Sequence, residues 1–326
     1  MIAKRFLPIS VGLVCLFCAT RAGATEAPPQ FVTMWGVLGS GPGQLTGPWG
    51  TTVDGAGYVY VADSGNNRIC KFTGSGEFVL SWGTLGAAPG SLNRPFGIAA
   101  DGAGRIFVAD WLNSRIDVFT TEGVFINQFG TGAFYDVAVG PSGTVFVADH
   151  SGDVNRYDVN GNFIDNVGSG TLEHPSGVAV DAAGNLYVCD DGLNSVSKFD
   201  PSGNLVMSWG GGGNQPGQFA GPAGIDIDPQ GNIFVADHDN SRIQKFGPDG
   251  GLLSYWGTVG TEPGQFNVAL DVAIGPDGAI YVSDVGNHRV QKFAYVAVSS
   301  VATSWGSVKA RYRDRRSAAE PRAQGR

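Results

Sequence analysis

Gly231-Asn232-Ile233-Phe234-Val235-Ala236-Asp237 decides the fold, because the chain says it again and again. Val-Ala-Asp recurs at residues 61–63, 108–110, 147–149 and 235–237, and Val188-Cys189-Asp190 and Val282-Ser283-Asp284 are variants of it. The six aspartates stand 47, 39, 41, 47 and 47 residues apart. A period of that length suits one four-stranded blade of a β-propeller. Working outward from Val235 in the fifth repeat, apolar and polar residues alternate over 224–228, 233–236, 242–246 and 252–256. Turn signals separate these segments: Asp228-Pro229-Gln230-Gly231, then residues 237–241, then Pro248-Asp249-Gly250. Short alternating segments bounded by Gly, Pro, Asn and Asp read as strands and turns. The expectation is an all-β, six-bladed propeller. The 51 glycines, without a collagen period, agree with it.

The fourth strand of a repeat ends in an aromatic residue and glycine: Trp82-Gly83, Phe129-Gly130, Trp209-Gly210 and Trp256-Gly257, with Val167-Gly168 a weaker copy. The sixth repeat runs through three strands to Phe293 and lacks this ending. Phe31 to Gly36, closing on Trp35-Gly36, supplies it from the other end of the chain. Ser304-Trp305-Gly306 competes for the same place. The N-terminal segment is preferred, because it runs into Gly41-Pro42-Gly43-Gln44, a loop seen again at Pro216-Gly217-Gln218. Such closure removes the open sheet edges that invite aggregation.

Three units carry a family resemblance. Pro95-Phe96-Gly97-Ile98-Ala99, the stretch 231–237 and the stretch Asn287 to Phe293 resemble NHL repeats. The likeness spans residues 31 to 293. It implies the six-bladed, four-stranded fold and leaves the function open, because one fold hosts many sites. Propellers of this kind include a peptidyl-hydroxyglycine amidating lyase that holds its metal through histidines. Here His288, in Asp284-Val285-Gly286-Asn287-His288, resembles one ligand position of that enzyme. The other histidines fall elsewhere, and no match to its catalytic tyrosine and arginine is present.

The N-terminus reads as a signal peptide over residues 1–24. Lys4 and Arg5 precede an apolar stretch from Phe6 to Ala19, and Ala22-Gly23-Ala24 forms an A-x-A cleavage site. The stretch is short for a membrane span, and Phe17 before Cys18 argues against a lipid anchor. The expected product is secreted or periplasmic, with a propeller over 25–293 and a basic tail over 294–326. Cys70 and Cys189 fall in opposite repeats, too far apart to bridge, and read as small buried hydrophobes.

Between residues 25 and 308, 11 basic side chains face 27 acidic ones, a charge near −16; the tail beyond carries about +5. An acidic body argues against nucleic acid, which needs Lys and Arg for its phosphates. The tail reads as a flexible, solvated segment, with a short helix as the alternative: Ser304 would cap it, with Trp305, Val308 and Tyr312 on one side and Lys309, Arg311 and Arg313 on the other.

The repeat aspartate is followed by Asn at +3 and Arg at +5 in four repeats: Asp63/Asn66/Arg68, Asp110/Asn113/Arg115, Asp237/Asn240/Arg242 and Asp284/Asn287/Arg289. A hairpin folds the arginine back onto the aspartate, so recurrence marks a structural set. Repeats three and four depart from it at Asp149 and Asp190. Before the first-strand glycine stand Trp49, Phe96, Tyr135, Ser176, Ala223 and Leu270, and in repeats three and six Asp136 and Asp271 replace the glycine itself. First strands line the channel, so this row should ring one mouth, with Trp111, His150, Asp191 and His238 added by the following turns. The expected ligand-binding residues are Trp49, Phe96, Trp111, Tyr135, His150, Asp191 and His238.

No phosphate loop, nucleophile elbow or Cys-x-x-Cys motif is present. The leading expectation is a monomeric binding scaffold for a protein, peptide or glycan. It has no catalytic residues, resident cofactor or metal ligands, and no transmembrane segment in the mature chain. The alternative is a metal-dependent propeller enzyme, a lyase or a lactone hydrolase, with zinc or calcium.

Overall fold

A computed structural model describes residues 24–296. Six four-stranded antiparallel sheets follow one another as blades. Their innermost strands are Pro48–Val53, Pro95–Ala100, Phe134–Val139, Pro175–Val180, Pro222–Ile227 and Ala269–Ile274. In the fifth blade the second to fourth strands span Ile233–Asp237, Arg242–Phe246 and Leu252–Trp256, as the sequence pattern predicts. The first begins two residues earlier, because Pro222 pairs with Asp237 before the strand bulges. In the sixth blade the outermost strand is Gln30–Trp35, antiparallel to Arg289–Ala294, with Trp35 opposite Val290. The N-terminal strand therefore closes the ring. The signal-peptide residues 1–23 and the tail from 297, with its rival Trp305 segment, lie outside the described residues.

Burial explains the sequence pattern strand by strand. The Val-Ala-Asp strands are buried at every position in Val59–Asp63 and Ile233–Asp237, and in Arg105–Asp110 at every position but the first. They sit inside the sheet with a neighbouring blade on each face, so they read as continuous apolar runs. Outer strands such as Phe78–Trp82 and Phe125–Phe129 alternate between half-buried and exposed residues, as a half-solvated sheet edge should. Six apolar clusters form the core, and each draws on two adjacent blades. No blade buries its faces alone, which is why the fold needs the whole ring.

The aromatic-glycine ending has a packing role. The ring of Trp35 lies over Gly76, Trp82 over Gly123 and Phe129 over Gly161, each a turn glycine of the next blade. A Cβ on Gly76 would come within 2.6 Å of the Trp35 ring. These turn glycines also hold positive φ, so two separate demands fix them.

The repeat aspartate is a buried hub. Asp237 accepts from Arg242 Nε at 2.6 Å, Asn240 Nδ2 at 2.9 Å, Gln244 Nε2 at 3.0 Å and the Ala220 amide at 2.8 Å. The same arginine donates onward to the carbonyls of Asn214, Gln215 and Gln218. It thus latches the loop entering the blade. Arg68 with Asp63 and Arg289 with Asp284 repeat the latch at 2.8 and 2.7 Å. In the second blade Arg115 Nε turns instead to Asp117, and the guanidinium meets Asp110 only at 3.4 Å. Burial and the neighbouring Asp110 push the Asp117 carboxyl up to about 7. Asp149 and Asp190 have no arginine: Asp190 gathers the amides of Glu173, His174 and Leu193. Cys70 and Cys189 are buried free thiols.

Candidate functional site at the channel mouth

Every inner strand shifts register against its neighbour near the glycine position. Such a bulge re-aims one side chain, and here it faces the channel. Glycine is needed there in four blades because the next blade presses close. A Cβ on Gly50 or Gly177 would collide with the carbonyl of Phe96 or Ala223. In blades three and six the position is Asp136 and Asp271. Their carboxylates lie in the space left by the missing side chains of Gly97 and Gly224. Asp136 Oδ2 accepts from the Val178 amide at 2.9 Å, and Asp271 Oδ2 accepts from the Thr51 amide at 2.7 Å. Each aspartate therefore ties two blades together.

A cavity of about 260 Å³ opens above them. Its wall includes Trp49, Tyr135, Asp191, His238, Asp239 and Leu270, with Asp136 and Asp271 at its floor. A second cavity, of about 130 Å³, shares Asp136 and Asp271 and adds Asp226. The two carboxylates thus stand where the mouth meets the inner channel. The mouth's wall carries four aspartates, and no Lys or Arg is among its lining residues.

Half of the rim is a continuous row of stacked rings. Trp49 lies on Phe96 with centroids 3.7 Å apart, and Phe96 on Trp111 at 4.4 Å. Trp111 meets Tyr135 edge-on at 6.1 Å; Tyr135 lies flat on His150 at 4.1 Å, and His150 on His174 at 4.7 Å. Arg94 caps the outer side, 5.2 Å from the Trp111 ring. Across the mouth, His238 Nδ1 is 2.7 Å from Asp239 Oδ1.

The structure sorts the residues expected from sequence. Trp49, Tyr135, Asp191 and His238 line the cavity. Trp111 and His150 belong to the rim row. Phe96 is only 1% exposed, enclosed between Trp49 and Trp111, so it supports the row and does not face a ligand. His288, the apparent lyase-like ligand, is a turn residue with φ of 57°, and its Nδ1 accepts from the Gly47 amide at 3.0 Å. His174, which is not among the residues expected from sequence, sits beside His150 and Asp191. These three offer one donor atom each, all within 4.8 Å of one another.

Burial shifts the floor. It pushes the Asp136 carboxyl up to about 7 and that of Asp226 up to about 6. Burial, reinforced by the Asp136 charge, pushes Asp271 well above the usual range. Burial likewise raises Asp191. A carboxyl whose folded pKa is raised holds its proton longer in the folded state, so its charging opposes folding as pH rises. For Asp136 the loss begins near the unfolded value of about 4 and is complete above about 7. We expect Asp136→Asn to gain on the native protein as pH rises from 5 to 7, by at most about 1.4 kcal/mol per pH unit. Urea midpoints of both proteins across that range provide the check. A difference independent of pH would show that Asp136 stays charged throughout.

The family model for the NHL repeat matches residues 45–72, 219–246 and 266–293. This chain is a six-bladed NHL-repeat propeller. The three matched segments cover the blades whose arginine latches its aspartate at 2.8 Å or less. Blades two to four, where that latch is redirected or lost, carry most of the aromatic row. No curated protein is similar to the NHL propeller by sequence. Solved structures share its fold. A protein of unknown function from Bacteroides thetaiotaomicron is 18% identical, with a TM-score of 0.63, over 83% of this chain and 74% of that one. A gluconolactonase from Xanthomonas campestris is 16% identical, with a TM-score of 0.62, over 83% and 96%. Virginiamycin B lyase from Staphylococcus aureus is 13% identical, with a TM-score of 0.56, over 77% and 96%. At such identities the likeness is one of fold. Among the described residues no helix is long and apolar enough to cross a membrane.

Proposed function

We propose that the NHL propeller is a secreted or periplasmic binding module, and that its mouth takes a neutral or cationic group of a peptide, protein or glycan. The stacked row from Trp49 to His174, facing a wall of aspartates, carries this reading. Flat aromatic faces bind apolar ring surfaces and cations, while the exposed carboxylates of Asp191 and Asp239 accept hydroxyl or ammonium hydrogens and repel anions. Repeated packing needs explain the Val-Ala-Asp strands and the latches, but they do not require six rings in contact along one rim.

Trp49→Ala is expected to weaken binding about 10-fold or more, as loss of an aromatic anchor does, with the fold intact. Trp111→Ala should weaken it less, because Trp111 acts through Phe96. A glycan array and a panel of Lys/Arg-containing peptides, followed by titration of the best binder, provide the measurement. Native affinity in both variants would place the site elsewhere. The enzymatic alternative, a metal-dependent lyase or lactone hydrolase, draws support from the lyase and the gluconolactonase that share the fold, and that support extends to the fold alone.

A further inference from the structure

We infer that His150, His174 and Asp191 form a binding site for a divalent transition-metal ion of the zinc class. The site goes beyond the ligand reading, since an ion can bind with the mouth otherwise empty. Two neutral imidazoles and one carboxylate are a donor set that zinc accepts, leaving at least one coordination position open. Calcium and magnesium prefer all-oxygen shells, so of zinc and calcium the chemistry selects zinc.

Distances support the assignment. Donors on one tetrahedral zinc stand roughly 3.3 Å apart, given bonds of about 2.0–2.1 Å. His174 Nδ1 is already 3.7 Å from Asp191 Oδ1. The widest pair, within 4.8 Å, needs a further approach of about 1.5 Å on that geometry. His174 and Asp191 have the freedom for it: both sit in loops, with side chains 48% and 35% exposed.

His150 supplies the fixed member. Its ring is clamped between Tyr135 and His174, and its Nδ1 is shielded from solvent without a hydrogen-bond partner among the described residues. A shielded imidazole nitrogen with nothing to bond needs an explanation. The His174–Asp191 contact offers none, because it leaves His150 out. The surroundings favour a cation: Asp191 shares the cavity wall with Asp239, and no Lys or Arg lines that wall.

The full chain, stripped with chelator and dialysed, is titrated calorimetrically with zinc, and bound metal is counted after dialysis. One zinc per chain is expected, and the same concentration of calcium should not displace it. His174→Ala should lower affinity roughly 100-fold and Asp191→Asn at least 10-fold, in keeping with losses at metal shells. His288→Asn, at a turn that suits asparagine, should bind as the native protein does. Zinc should raise the melting midpoint of the native protein and of His288→Asn, but not of His174→Ala. No binding at millimolar zinc would overturn the site. So would stoichiometric binding that survives both His174→Ala and Asp191→Asn. Because the probe is the ion itself, this outcome is separate from any result with peptides or glycans.

Discussion

A chain beginning at residue 37 should melt at least about 10 °C below one beginning at residue 24. The missing segment contains the strand Gln30–Trp35, which pairs with Arg289–Ala294 along the sixth blade. With it go Trp35, packed against Phe72 and Tyr281 at 5.9 and 6.0 Å, and Phe31, packed against Phe293 at 6.1 Å. Losing one large aromatic from a core costs about 3–5 kcal/mol, and in a domain of this size each kcal/mol shifts the midpoint by roughly 2–4 °C. The strand Arg289–Ala294 would also be left as an open edge, so aggregation on heating should accompany the drop. Trp35→Ala in the intact chain should reproduce part of the loss. Equal midpoints for the two chains would mean that another segment, such as the one holding Trp305, fills the same place.

The second large effect concerns the buried hubs. Asp237→Ala should destabilise the protein by about 3–5 kcal/mol, because it strands the Arg242 guanidinium among carbonyls with its charge partner gone. Asp149→Ala, at the matching place in blade three, should cost only about 1–2 kcal/mol. Asp149 accepts from Ser151 at 2.7 Å and from Asn155 at 3.4 Å, with no arginine to strand. Urea unfolding of the two variants side by side measures the contrast. Equal losses would mean that the arginine adds nothing to the hub.

The fold was legible because the features that build it recur. Val-Ala-Asp, the aromatic-glycine ending and the Asp-Asn-Arg set each answer a packing or hydrogen-bonding need that every blade shares, so the sequence states them several times. Closure by Phe31 to Gly36 could be read for the same reason, since a missing copy at one end matched a spare copy at the other. The mouth was legible only in part. Repeat position locates Trp49, Tyr135, Asp191 and His238 on one rim, yet it cannot tell Trp49, which faces the cavity, from Phe96, which is enclosed between two tryptophans. His174 was passed over because its partners come from different strands: His150 follows a strand of blade three, and Asp191 follows one of blade four. Only the ring's curvature brings them together. A signal did exist. Blade four lacks the arginine at +5, and the amides of His174 and Leu193 take its place on Asp190, beside the Glu173 amide, whose counterparts also reach the aspartate in the latched blades; the added bond draws the His174 loop down onto Asp190. Asp136 and Asp271 stood out as departures from glycine, but their reach across to blades four and one depends on bulges that no local pattern announces.

Closure by the N-terminal strand also sets an order in time. During synthesis Gln30–Trp35 emerges first, and its pairing partner Arg289–Ala294 emerges more than 250 residues later. At ribosomal rates of about 5–20 residues per second, the strand waits many seconds with its amides and carbonyls unmatched. Blades one to five can stack as they appear, but the last blade cannot form until both ends of the chain are present. The longest loop in the molecule is therefore closed last, when its ends have already been brought near each other by the stacked blades, so that little of the usual entropic cost of long-range pairing remains.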